Sequence, residues 1–561
     1  MKRATVLLAF AAALLVGHRE ANACTNFLIT RDASADGSTM ITYAADSHVL
    51  YGELYYTPAG RHLPGDTIEI HEWDTGDHLG SIPQVEETYS VVGNINEHQV
   101  AIGETTWGGR EELKESEGVL DYGSLMYIAL QRARTAREAI EVMTSLVEEH
   151  GYASSGETFS ISDPYEVWIM EMIGKGKEEK GALWVARRIP EGYVAAHANQ
   201  ARIRTFPLNK KKQCLYADDV VDFAREKGWY EGPDEEFSFA GVYAPLTWTS
   251  LRFCEARVWA FYNRVAPSLE LDTGYIDGDE DAEPLPLYIE PDRKLSVHDV
   301  MELMRDHFEG TKWDLSKGVG AGPHELPYRW RPLVWDVEER EEGEDGEDEE
   351  EKKPEVQYVN ERSTSTQQTG FSFVAQSRFW LPDPVGGVLW FGVDDTYSTV
   401  YVPMYCGIRE APEPYAVGTG SFDEFSWDSA FWVFNFVSNY SYLRYKDMIQ
   451  DVRRVQKELE SNFIARRTAV EEAAVELHDR APELARDYLT EYSTAMAEET
   501  VERYRELGEF LLWKYLDGNV KDEHGEVEHP GYPRHWYERI IEERGDHFRL
   551  RKLPGEPEED H

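Results

Sequence analysis

Short apolar runs separated by turn residues dominate the first half of the chain. TNFLIT (25–30) leads through ASADGS (33–38) into TMITYAA (39–45), a spacing that predicts a hairpin with Asp36-Gly37 in its connection. VLYGELYY (49–56) reads as a further strand. YSVVGNINEHQVAIGETTW (89–107) reads as two β-rich runs flanking Asn96-Glu97-His98-Gln99. Helical periodicity then takes over. YGSLMYIALQRA predicts one helix, and Thr135 with Glu138 three residues on forms a capping box for REAIEVMTSLVEEH, stopped by Gly151. FSIS (159–162), EVWIMEMI (166–173), LWVARRI (183–189) and YVAAHAN (193–199) return to strands.

The middle of the chain mixes helices over 215–227, 251–265 and 297–308 with loops. Strands resume at GFSFVAQ (370–376), GGVLWFGV (386–393) and STVYVPMY (398–405). From Tyr440 the chain reads as mostly helical, amphipathic to about Leu516, with a charged and irregular last forty residues. Strands and helices come in blocks and not as βαβα, which disfavours a doubly wound sheet and fits two antiparallel sheets covered by helices. The organisation expected is an export signal over 1–23, a catalytic domain over 24–439 and a helical extension over 440–561.

The N-terminus carries the marks of that signal. Lys2 and Arg3 precede an apolar run from Ala4 to Val16, and Ala21-Asn22-Ala23 is a small-x-small cleavage signature. The run is too short to span a bilayer, and no later stretch is long enough. An exported protein, periplasmic or extracellular and without a membrane span, is expected.

The formal charge of −48 makes nucleic acid and anionic lipid poor partners. Part of it sits in EEREEGEDGEDEEEKK (338–353), which has nothing to bury and reads as a disordered acidic insertion. DGDEDAE (277–283) lacks the ligand spacing of an EF-hand and reads as a solvated loop. His524, His529 and His535 have no metal-ligand spacing, so neither a metal nor a cofactor is expected.

Familiar hydrolase signatures fail one by one. HEWDTGDH (71–78) has Thr75 where a zinc helix needs its second His, and GYASSGE (151–157) is not G-x-S-x-G. One nucleophile candidate has a reason to be activated. Cleavage after Ala23 would leave Cys24 as the first residue, carrying both a thiol and a free α-amine. Their reference pKa values are about 8.5 and about 7.7–8.0, so near neutral pH the amine accepts the thiol proton without a second side chain. Two other uses of Cys24 stay open. It is placed as a lipoprotein acyl acceptor would be, although Ala21 and Asn22 depart from the usual box. It could also pair with Cys214, Cys254 or Cys406 in a disulfide.

From Cys24 onward the chain resembles the bacterial cysteine dipeptidases (dipeptidase A/D-like) of the N-terminal-nucleophile (Ntn) hydrolase superfamily. The resemblance is carried by CTNFLITRDASADGSTMITYAADSH (24–48), NEHQVAIGETTWGGR (96–110), RDHFEGTKWDLSKGVGAGP (305–323) and FVAQSRFWLPDPVGGVLWFGVDDTYSTVYVPMYCGI (373–408), with the region around 426–457. It implies an α+β fold, the Ntn-hydrolase four-layer αββα sandwich with a mostly helical C-terminal region, and metal-free hydrolysis of peptide or related amide bonds. It implies Cys24 as nucleophile, Asp46 as the aspartate that orients its amine, and Asn199 as a member of the oxyanion hole. Asn96, Thr105 and Arg257 are possible substrate-site residues. Relatives often carry Arg three residues before the aspartate; here that position is Tyr43.

A small peptide substrate is expected, and a dipeptide's free amine calls for a carboxylate in the site. Two alternatives accompany this reading. One is an Ntn amidase or acyltransferase acting on N-acyl amino acids or bile-salt-like amides. The other is a lipid-anchored binding or structural protein that uses Cys24 as acyl acceptor.

Overall fold

The computed structural model describes residues 24–114, 118–328, 333–336 and 357–550. The expected signal and the whole acidic run 338–353 lie outside them. Ten strands form the body of the two main sheets: β1 (Asn26–Ile29), β2 (Thr39–Asp46), β3 (Ala101–Trp107), β4 (Gly156–Ser162), β5 (Val167–Gly174), β6 (Ala182–Arg188), β7 (Val194–His197), β8 (Thr369–Ser377), β9 (Val388–Val393) and β10 (Val402–Tyr405). A seven-stranded sheet runs Tyr288–Ile289, β7, β1, β2, β8, β9, β10. An eight-stranded sheet runs Cys214–Tyr216, β6, β5, β4, β3, Ile95–Asn96, Val91–Val92, Tyr56–Thr57. Neighbouring strands within both sheets pair antiparallel.

The two sheets face each other where β2 lies over β3 and β4. Alternation along β5 shows why both faces of the second sheet are covered. Val167, Ile169 and Ile173 join the large core, while Trp168, Met170 and Met172 join a second cluster under two helices. Those helices are α1 (Tyr122–Arg132) and α2 (Ala136–His150). Across the molecule, α3 (Ala256–Val265), α4 (Ala430–Ser441), α5 (Tyr445–Arg480) and α6 (Pro482–Lys514) share the large core with the first sheet. The layers are helix, sheet, sheet, helix, and the fold is α+β. No helix among the described residues is long and apolar enough to cross a membrane.

The hairpin forms as expected: Asp36 accepts hydrogen bonds from the Ser38 N–H and from Ser34, closing the turn between β1 and β2. The start of α2 is capped by Thr135, but Glu138 reaches the Arg134 N–H, one residue further back than a capping box requires. Segment 49–56 is largely irregular. Gly52 there presses against another backbone: a Cβ would sit 1.9 Å from the Gly370 carbonyl oxygen, and Leu54 pairs with a loop at Tyr415. Over 215–227 the chain forms a strand and then only a short helix, Asp222–Glu226, and the helix expected over 297–308 stops at Leu303. The last forty residues contain a helix, α7 (Arg534–Phe548), supported by an Arg534–Glu538 pair one turn apart and carrying little apolar periodicity to betray it.

Candidate active site

Cys24 precedes β1 and lies alongside the end of β2, because Thr25 and Ala44 exchange backbone hydrogen bonds. It is only 4% exposed. Its Sγ lies 3.8 Å from the Tyr43 hydroxyl and 3.7 Å from Glu104 Oε1, and Tyr43 donates to that same carboxylate oxygen. Tyr43 comes from β2 and Glu104 from β3, so the site spans the two sheets. Gly103 makes the approach possible: a Cβ there would lie 2.8 Å from Asn26 Nδ2 and 3.2 Å from Tyr43 Cβ.

Arg257 binds this first turn of chain from the other side. It follows a π-helical turn (Leu251–Glu255) that runs into α3, a distortion often found at functional sites. Its guanidinium is fully buried. It donates to the Cys24 carbonyl oxygen at 2.7 Å, to Thr25 Oγ1 at 2.8 Å and to Asn199 Oδ1 at 2.9 Å. Asn199 lies in the left-handed region at φ 58°, which Asn tolerates, and donates from Nδ2 to the Thr106 carbonyl at 2.7 Å. Asp46 is buried, with Arg362 at 2.8 Å on one carboxylate oxygen and the Thr369 hydroxyl at 2.6 Å on the other.

Electrostatics follow from this burial. Loss of water pushes the Cys24 thiol pKa well up, and the carboxylates of Glu104 and Asp46 add to the effect, so the sulfur is held as thiol. Burial also raises the Asp46 carboxyl, against the pull of Arg362. It lowers Arg257 to about 10, helped by the like charge of Arg362. Glu157 on β4 is pushed well up, first by burial and then by the charge of Glu104, which burial raises as well. Two carboxyls this close resist ionising together.

A cleft of about 1060 Å³ opens beside these groups, lined among others by Asp74, Thr106, Tyr122, Glu157 and Trp229. Tyr122 donates to Asp74 at 3.0 Å across its wall.

Cys24, Asp46, Asn199 and Arg257 are therefore brought together. Asn96 and Thr105 are not. Asn96 is a turn residue: its Oδ1 accepts from the His98 and Val100 N–H groups, and its Nδ2 donates to the Leu130 and Ala133 carbonyls. Thr105 bridges the sheets, its Oγ1 2.8 Å from His197 Nδ1, while Ser160 lies 2.7 Å from the other ring nitrogen. Burial, with Arg202 and Arg257 nearby, keeps that histidine neutral. The neighbouring Thr106 is the one that reaches the cleft.

Five contributors escaped the sequence reading: Tyr43 as a contact of the sulfur, Glu104, Glu157, Arg362 and Thr369. An acidic residue inside an apolar strand pattern, as in AIGETTW and ETFSIS, is a usable signal for the two glutamates. Arg362 stands in the polar stretch NERSTSTQQTG, which carries none. Position 43 carries no guanidinium; Arg257 meets the Cys24 carbonyl oxygen and Arg362 meets Asp46.

The four cysteines are all free thiols, so the disulfide use of Cys24 falls away. Among the described residues, His298, Glu302 and Glu460 form the one grouping with metal-ligand spacing. Its carboxylates are already paired, Glu302 with Arg305 and Arg453 and Glu460 with Arg305.

A buried cysteine between two facing sheets and among charged side chains is a candidate nucleophile, and the family match makes the chain a hydrolase of the cysteine-peptidase class. The chain belongs to peptidase family C69, whose model matches residues 23–458. A "Probable dipeptidase" of Latilactobacillus sakei is 25% identical over 423 residues, covering 71% of this chain and 76% of its own. A "Probable dipeptidase" of Salmonella dublin is 25% identical over 431 residues, covering 72% and 85%. "Dipeptidase A" of Lactobacillus helveticus is 24% identical over 434 residues, covering 73% and 80%.

Proposed function

We propose that this enzyme is an exported dipeptidase whose mature chain begins at Cys24, the thiol acting as nucleophile and the α-amine of the same residue as general base. The observation that carries the reading is the setting of Cys24 among the four cysteines. Its sulfur reaches the ionisable side chains Tyr43 and Glu104, whereas those of Cys214 and Cys406 meet backbone carbonyls and that of Cys254 meets the Asn199 carbonyl and Arg257. A thiol kept protonated by burial needs a base at hand. Cutting the Ala23–Cys24 bond creates one on the same residue.

In the reaction the amine takes the thiol proton and the sulfur attacks the scissile carbonyl. Asn199, its amide aligned by Arg257, contributes to the oxyanion hole; losing one such donor costs about 10²–10³ in rate. The amine returns the proton to the departing amino group, leaving a thioester on Cys24. Water, deprotonated by the same amine, then releases the acid and restores the thiol. Asp46, fixed by Arg362 and Thr369, orients the amine.

The test is intact mass and N-terminal sequencing of the exported protein before and after iodoacetamide, with dipeptide hydrolysis followed in parallel. A Cys24 terminus that alkylates as activity disappears supports the mechanism. A lipid-bearing Cys24, or a mature chain that starts elsewhere, removes the base and sinks it.

A further inference from the structure

We propose that Glu104 and Glu157 bind the free α-ammonium group of the substrate, so that only a residue at the amino end of a peptide is presented to Cys24. This rests on the dipeptidase reading above and names the group that would enforce it.

The two carboxylates are buried and incompletely partnered. Glu104 is 1% exposed and Glu157 0%. Their oxygens lie within hydrogen-bond reach of each other, with Thr106 beside Glu157, and Glu104 Oε2 and both Glu157 oxygens receive no other donor among the described residues. Two buried carboxyls that share a proton still hold one negative charge away from water, which a cationic ligand would offset. Three of the lysines at the cleft are engaged elsewhere: Lys114, Lys175 and Lys227 pair with Glu111, Asp219 and Glu179. An ammonium group carries three donors and no acceptor, so it can take the place of a shared proton and bond to both carboxylates.

The placement suits the chemistry. Glu104 on β3 faces Phe159, and Glu157 on β4 faces Thr106, so the two glutamates are diagonal neighbours on adjacent strands. Glu157 lines the cleft and Glu104 Oε1 lies 3.7 Å from the nucleophilic sulfur. A carbonyl carbon poised for attack sits about 3–3.5 Å from that sulfur, and the α-nitrogen of the same residue is two bonds further on. An ammonium held by this pair therefore places the first peptide bond at Cys24. An N-acylated residue would bring a neutral amide and extra bulk against two carboxylates.

The test compares a dipeptide such as leucyl-phenylalanine with its desamino analogue, 4-methylpentanoyl-phenylalanine, on the mature enzyme and on Glu157→Gln. Wild type should prefer the dipeptide in kcat/KM. In E157Q that preference should fall by about 10–100-fold, the loss expected for a hydrogen bond to a charged partner, mainly through a higher KM. A preference that survives unchanged overturns the proposal. So does an equal loss on both substrates, the result expected if the pair served packing or the α-amine of Cys24 itself. Should E157Q fail to fold, leucinamide and 4-methylpentanamide are compared as inhibitors of wild type, the cation binding at least about tenfold more tightly; equal inhibition overturns the idea. Wild-type enzyme that cleaves no dipeptide fails the dipeptidase reading itself, a result distinct from an altered preference.

Discussion

The guanidinium of Arg257 ties Cys24 to Asn199: it donates to the Cys24 carbonyl oxygen at 2.7 Å and to Asn199 Oδ1 at 2.9 Å. One buried side chain thus sets both the nucleophile's backbone and the amide assigned to the oxyanion hole. Lys offers a point charge in place of a planar fork and cannot hold both partners. Arg257→Lys should lower kcat by about 10²-fold, the order expected for a small misplacement of reacting groups. Steady-state kinetics would show it, with KM changing less than kcat.

Asp46 and Arg362 form a second buried pair. Removing the guanidinium leaves the Asp46 carboxylate uncompensated, so Arg362→Met should destabilise the protein by about 3–5 kcal/mol. Adding Asp46→Asn should recover part of that loss, because the uncompensated charge is then gone. Urea unfolding of both single variants and the double variant measures the coupling.

Gly103 is a test of close approach. A methyl group there meets Asn26 and Tyr43 at 2.8 and 3.2 Å, and both belong to strands that cannot withdraw. Gly103→Ala should cost about 1–3 kcal/mol as an overpacked core position. It should also depress activity by pushing Tyr43 from the sulfur. Unchanged kcat in a folded G103A protein would argue against a role for the Tyr43 contact.

Asp394 provides a pH prediction remote from Cys24. Burial, then the charge of Asp395, raises its carboxyl to about 7, although Ser438 and Asn435 donate to it. A folded pKa above the unfolded value means full stability below the unfolded pKa and loss as pH rises through about 7. Asp394→Asn stays neutral and suits the residue's φ of 66°. The wild type should therefore lose on the order of 3 kcal/mol more than D394N between pH 5 and pH 8.5. Thermal unfolding at the two pH values decides it.

Much of the frame was legible along the chain. The β1–β2 hairpin, α1, α2 and the strands through β7 follow from local alternation, turn residues and caps, each of which acts within a few residues. Cys24 was found because a cleavage signature abuts it, and Asp46 because it ends a strand in a stretch with a family resemblance. Arg257 entered as a possible substrate-site residue, with nothing along the chain to say that it would be buried. It is 1% exposed, since α3 docks against β1 with Phe27 stacked on Phe261 at 4.1 Å. Asn96 and Thr105 were possible site residues because they lie in the NEHQVAIGET segment of the family resemblance; strand alternation and a tight turn send both elsewhere.

By itself the sequence determined which segments become strands and helices, that two antiparallel sheets are needed to bury them, and that one cysteine stands where cleavage would free its amine. Those properties depend on neighbours in the chain. Only the tertiary structure decided that Arg362 meets Asp46 across 316 positions, that Glu157 faces the cleft beside Glu104, and that Thr106 and not Thr105 lines it. Sheet register and helix docking settle such contacts. They sum small packing energies over dozens of residues, and no short window of sequence carries that sum.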